Sequence, residues 1–154
     1  MIIIRDSEES YENAIKSIQS ALCKSKFPIP TNVNTVIKGI YNNITGNVNM
    51  NVAFTLFPSL SDDKRNGTLE DLYIENLKEN NVEQLINDID SFLYTLKSKG
   101  RKFTWYHKTK LHTYFSVTND FVSCKIGQAT KYGAFNFECD EMNSLKLLLE
   151  KIII

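Results

Sequence analysis

Three consecutive isoleucines, Ile2-Ile3-Ile4, end at Arg5-Asp6 and give way almost at once to an amphipathic helix. An unbroken β-branched run suits a strand covered on both faces, as in a parallel sheet, whereas a half-exposed strand alternates. Beyond it Tyr11, Ala14, Ile15, Ile18 and Leu22 recur at helical spacing, with Ser7 or Ser10 placed to cap the helix and acidic residues near its first turn. Pro28 and Pro30 close the unit in a loop. A buried strand leading directly into a helix is the first half of a βαβ unit, which calls for a second, parallel strand.

That second strand is expected over Met50 to Pro58, where Val52, Ala53, Phe54, Leu56 and Phe57 form another apolar run stopped by Pro58. Between the two runs the chain is rich in Asn. Val36, Ile37 and Ile40 fit either a short strand or a helical turn. Ser59 to Gly67 reads as a polar loop, with Gly67 supplying a positive φ. Thr68, with Asp71 three residues on, then forms a capping-box signal, and Leu69, Leu72, Tyr73 and Leu77 line one helical face. After Asn80-Asn81 the pattern restarts with Val82, Leu85, Ile86, Ile89, Phe92, Leu93 and Leu96, ending near Gly100. Trp105 to Val117 predicts another helix, Gly127 to Phe137 loop with a short strand, and Asn143 to Lys151 a terminal helix with Leu145, Leu148 and Leu149 inward. The expected architecture is a single α/β domain over residues 1–154, with a mostly parallel sheet flanked by helices.

With 154 residues, 42% hydrophobic and 23% charged, the chain has ordinary globular composition and is not a disordered segment. Eighteen basic residues balance eighteen acidic ones, which argues against a generally cationic nucleic-acid coat and leaves room for a local patch. Cys23, Cys124 and Cys139 are far apart, odd in number and in no CxxC arrangement, so reduced thiols are expected. The opening apolar run is too short for a signal peptide, and the expected location is cytoplasmic.

Three constellations have chemistry to offer. Asp6-Ser7-Glu8 lies just beyond the carboxyl end of the first strand, where open α/β sheets bind ligands, and two carboxylates one residue apart can hold a hard cation such as magnesium. A plainer account is that these acids stabilise the positive end of the following helix. Gly67-Thr68-Leu69-Glu70-Asp71-Leu72 opens the helix after the second strand. If the two strands are parallel neighbours, Asp6, Glu8, Glu70 and Asp71 emerge at one sheet edge, where such a cluster either takes a cation or shifts its pKa values upward. The third is Lys97 to Lys110, in which Lys97, Lys99, Arg101, Lys102, Lys108 and Lys110 surround Trp105, Tyr106 and His107 without an acidic residue. This composition suits phosphates and a stacked base, or else a solvated helix end with its aromatics in the core. Gly127 to Gly133 is no Walker motif, although Lys131 within it suits a charge-neutralising role. His107 and His112 are five apart and do not form a helical zinc pair.

These pieces occur in a familiar order. An apolar strand ending in Ile4-Arg5-Asp6 precedes a helix with Ile15-Lys16-Ser17-Ile18, the Phe27-Pro28-Ile29-Pro30 turn, and a strand ending in Phe57-Pro58. Then come Gly67 to Leu72, Gly127-Gln128-Ala129 with Gly133, and Phe135-Asn136-Phe137 before Leu145, Leu148 and Leu149. The chain resembles an uncharacterised bacterial domain family that is in turn similar to Toprim domains, closest to those of overcoming-lysogenisation-defect (OLD) nucleases. Toprim domains bind magnesium with acids at strand ends and process nucleic-acid phosphodiesters. The resemblance implies that Asp6 and Glu8 match the Asp-x-Asp pair, Glu8 adding a methylene to the second ligand. Glu70 and Asp71 match the later acidic pair, and Lys131 the late lysine. Toprim domains place an acid/base glutamate after an earlier strand, and the resemblance implies a shortened member without it.

Two function classes follow as expectations. One is magnesium-dependent phosphodiester processing, with metal ligands Asp6, Glu8, Glu70 and Asp71, catalytic residues Glu70 and Lys131, and nucleic acid held at Lys99, Arg101, Lys102, Lys108 and Lys110. The other is a catalytically inactive binding or interaction module on the same fold.

Overall fold

A computed structural model describes residues 1–58, 64–77 and 82–153, the side chains of 140 and 141 excepted. The expected loop residues 59–63 and the expected break at Asn80-Asn81 lie outside them. The elements run β1 (Ile2–Asp6), α1 (Tyr11–Lys24), β2 (Ile37–Asn43), β3 (Gly46–Phe57), α2 (Leu69–Leu77), α3 (Glu83–Ser98), α4 (Tyr106–Val117), α5 (Ile126–Lys131) and α6 (Asp140–Ile153). The chain divides into two compact units, Met1–Leu69 with Glu138–Ile154, and Glu70–Phe137.

The first unit is built on a three-stranded sheet of order β1-β3-β2. β1 runs parallel to β3, with Ile2 opposite Ala53 and Asp6 opposite Phe57, as the βαβ reading expects. β2 settles the open segment as a strand, paired antiparallel to β3 from Ile37–Val52 to Asn43–Gly46. The sheet is therefore mixed, not mostly parallel. The reason is local: Asn43-Ile44-Thr45-Gly46 turns the chain straight back, Gly46 with φ +129° and Asn43 Oδ1 accepting the N–H of Thr45 at 2.8 Å, and a hairpin joins only antiparallel strands.

Position in the sheet also corrects the reading of the isoleucines. β3 is central, and Val52 to Leu56 are wholly buried. β1 is an edge strand, and Ile4 is exposed. Tyr11, Ala14, Ile18 and Leu22 of α1 form the core with Val52, Phe54 and Leu56 of β3. Ser10 caps α1, accepting the N–H of Asn13 at 3.2 Å. α6 lies against β3, with Leu145 and Leu148 buried as expected but Leu149 exposed.

The second unit is helical. Leu72, Tyr73, Ile74 and Leu77 of α2, Ile86, Ile89 and Leu93 of α3, and Leu111, Tyr114 and Phe115 of α4 are buried. The Tyr73 ring meets Phe115 edge-on at 5.9 Å and Phe135 at 4.8 Å. Residues 127–137, expected as loop and strand, instead hold most of α5 followed by turns. The Gln128 side chain accepts the N–H of Lys125 at the helix N-terminus, and Gly133 follows the helix end at φ +87°. No helix among the described residues is long and apolar enough to cross a membrane.

Candidate functional site

In the first unit the end of β1 is fastened to the segment that opens α2. Ser7 donates its N–H to Phe57 at 2.8 Å, and its buried hydroxyl donates to the Arg65 carbonyl at 2.9 Å. Of the two serines considered as caps, Ser10 serves α1 and Ser7 serves this tie. Glu8 and Gly67 exchange both main-chain hydrogen bonds, at 2.7 and 2.8 Å. Glu8 sits at φ +54° and Gly67 at φ +140°, so the glycine expected at this turn is required there. Asn66 Oδ1 accepts the N–H of Tyr11 at 2.8 Å. Asp6 Oδ1 accepts the N–H of Leu69, the first residue of α2, at 2.9 Å.

The carboxylate of Asp6 thus lies at a helix N-terminus, where exposed amides and the helix dipole favour negative charge. Asp6 is half-buried and the Glu8 side chain exposed. In the second unit Glu70 and Asp71 occupy the first turn of α2 and are half-buried. Asp71 Oδ1 pairs with His107 Nδ1 in the first turn of α4. That orientation of the imidazole is absent from any linear motif, since 36 residues separate the pair. Lys131 is exposed in the last turn of α5. Among the described residues no group of three or more His, Cys, Asp or Glu is arranged to hold a metal ion.

The basic stretch separates into two kinds of lysine. Lys99, Arg101, Lys102 and Lys108 are exposed, as is Trp105 at 72%. Lys110 is buried, its Nζ paired with Asp90 of α3 at 2.5 Å. Tyr106 donates its hydroxyl to the other oxygen of the same carboxylate at 3.0 Å, and its phenol is raised above the usual value by burial and by Asp90. Lys97, Gly100, Arg101, Lys102, Phe103 and Tyr106 line a cleft of about 500 Å³.

No curated protein and no solved structure matches the chain. Residues 1–154 match the model of the family described as "Protein of unknown function (DUF3226)", and the chain belongs to that family.

Proposed function

We propose that the chain is a Toprim-like domain that processes nucleic-acid phosphodiesters with magnesium. Asp6, Glu8, Glu70 and Asp71 are the carboxylates to hold the ion, with Glu70 and Lys131 at the reacting phosphate. All four acids offer hard oxygen donors. Magnesium needs only one or two of them, completing its octahedron with water and phosphate oxygens, so the donor chemistry fits. When bound, the ion supplies Lewis-acid polarisation of the phosphodiester and an activated water. Lys99, Arg101, Lys102 and Lys108 contact the backbone of the substrate; Lys110, expected among them, is buried and paired with Asp90 and is left out of that set.

The observation that supports this reading is the placing of Asp6. It ends β1 directly opposite Phe57 at the end of parallel β3, and it answers the N–H of the residue before Glu70. The carboxyl ends of parallel strands are where α/β sheets bind ligands. One observation favours the second reading, a binding module without turnover: Asp6 serves a helix end and Asp71 serves His107, so both acids have structural work.

Magnesium titration followed by thermal melting tests the metal, and nicking of supercoiled plasmid tests turnover. The wild type gains melting temperature with magnesium, an Asp6→Asn, Glu70→Gln double variant does not, and nicking disappears in Glu70→Gln. A magnesium response without nicking of DNA or RNA selects the binding module. No magnesium response removes the metal centre.

A further inference from the structure

The cleft between the end of α3 and the start of α4 is walled by cations and rings. Among the described residues six line it: Lys97, Arg101 and Lys102 carry positive charge, Phe103 and Tyr106 are aromatic, and none of the six is acidic. Asp90, which accepts the Tyr106 hydroxyl, is paired with the buried Lys110. The same carboxylate holds the Tyr106 hydroxyl, which fixes the ring, and Phe103 stands against it edge-on at 6.2 Å. The first turn of α4 contributes no acidic residue of its own, and the Asp71 carboxylate that meets it is paired with His107. Trp105, between these two rings in the chain, is largely exposed. Aromatic residues in the lining, an exposed indole beside them in the chain and three cations together meet two features of one ligand: a flat π-face and a polyanionic backbone. A duplex offers only the second, because its base faces are stacked inside.

We infer that this cleft and Trp105 bind single-stranded nucleic acid, with an unpaired base stacked on the aromatic residues and the flanking phosphates on Lys97, Arg101 and Lys102. The volume of the cleft, about 500 Å³, is in the range of small-ligand sites. The inference deepens the nucleic-acid reading above and rests on it for the ligand class, but needs no magnesium.

Trp105 is the only tryptophan of the chain, so its fluorescence reports stacking directly. The full-length protein is titrated in EDTA with a thymidine oligomer of about 16 nucleotides and with a blunt duplex of equal length. The single strand is expected to quench Trp105 saturably and the duplex not to. Arg101→Glu with Lys102→Glu raises Kd by about tenfold or more and flattens its salt dependence. By anisotropy of a labelled strand, Trp105→Ala weakens binding and Trp105→Phe restores it. Equal binding of the duplex, binding without quenching, or no binding overturns the inference. Quenching without any nicking activity would count against the proposed chemistry alone, and nicking without quenching against this cleft alone.

Discussion

The carboxylate of Asp6 and the main-chain N–H of Leu69, 63 residues apart, are joined at 2.9 Å. One carboxylate at the end of a strand therefore completes the start of a helix that the chain reaches only after the whole β2–β3 hairpin. Its charge and its acceptor oxygen are separable. Asp6→Asn keeps an oxygen for Leu69 and loses the charge, whereas Asp6→Ala loses both. In denaturant melts Ala is expected to cost about 1 kcal/mol and Asn a fraction of that. Equal losses in the two variants would show that the hydrogen bond contributes nothing beyond the charge.

Asp90 bridges Tyr106 and the buried Lys110. Removing Asp90 strands a cation with little access to water, so Asp90→Ala should cost about 2–3 kcal/mol, discounted from a fully buried pair because the Asp90 side chain is 37% exposed. Lys110→Met removes the charge with its partner still hydrated and should cost less. A double-mutant cycle measures the coupling, and a value near zero would contradict the network.

Alkaline pH should weaken the fold. Burial is the first cause that raises the phenols of Tyr73, Tyr106 and Tyr114 above 10.0, with Asp90 adding to the effect at Tyr106. A raised acid pKa favours the neutral folded form, so this stability is complete below the unfolded value. It is lost as pH rises from about 10 through the folded values. Denaturant midpoints between about pH 8 and pH 11 should be flat and then fall, with a shallower fall in Tyr106→Phe.

Gly39 is a packing glycine. A methyl group there would meet Cγ and Cβ of Pro28 at 2.5 and 2.7 Å, and a proline ring cannot swing aside. Gly39→Ala should cost about 1–3 kcal/mol. An unchanged melting temperature would mean that the loop carrying Pro28 yields freely.

How far the sequence can be read depends on the range of the forces involved. α1 was legible to its buried face, because Tyr11, Ala14, Ile18 and Leu22 recur at helical spacing and Ser10 is a local cap. The parallel pairing of β1 and β3 followed from the strand–helix order. The mixed sheet did not, since the turn at Asn43–Gly46 includes the apolar Ile44 and the sequence of β2 has no strict apolar–polar alternation to announce it. Two glycines made residues 127–133 look like loop, yet a side-chain cap and the buried Ala129 hold a helix turn there. Among the candidate residues, the acids and cations were visible as residue types. That Lys110 turns inward to Asp90 while Lys108 stays exposed was invisible, because neighbouring helical positions differ only in what another helix places beside them.

By itself the sequence determined α1 with its buried face, the apolar run of β3 and the parallel β1–β3 order, because periodicity and propensity act over a few residues. Only the tertiary structure decided which strand is central in the sheet, which carboxylate answers Leu69 and which lysine is spent on an ion pair. Those outcomes depend on side chains brought together from distant positions by burial of apolar surface, and no short stretch of residues encodes them.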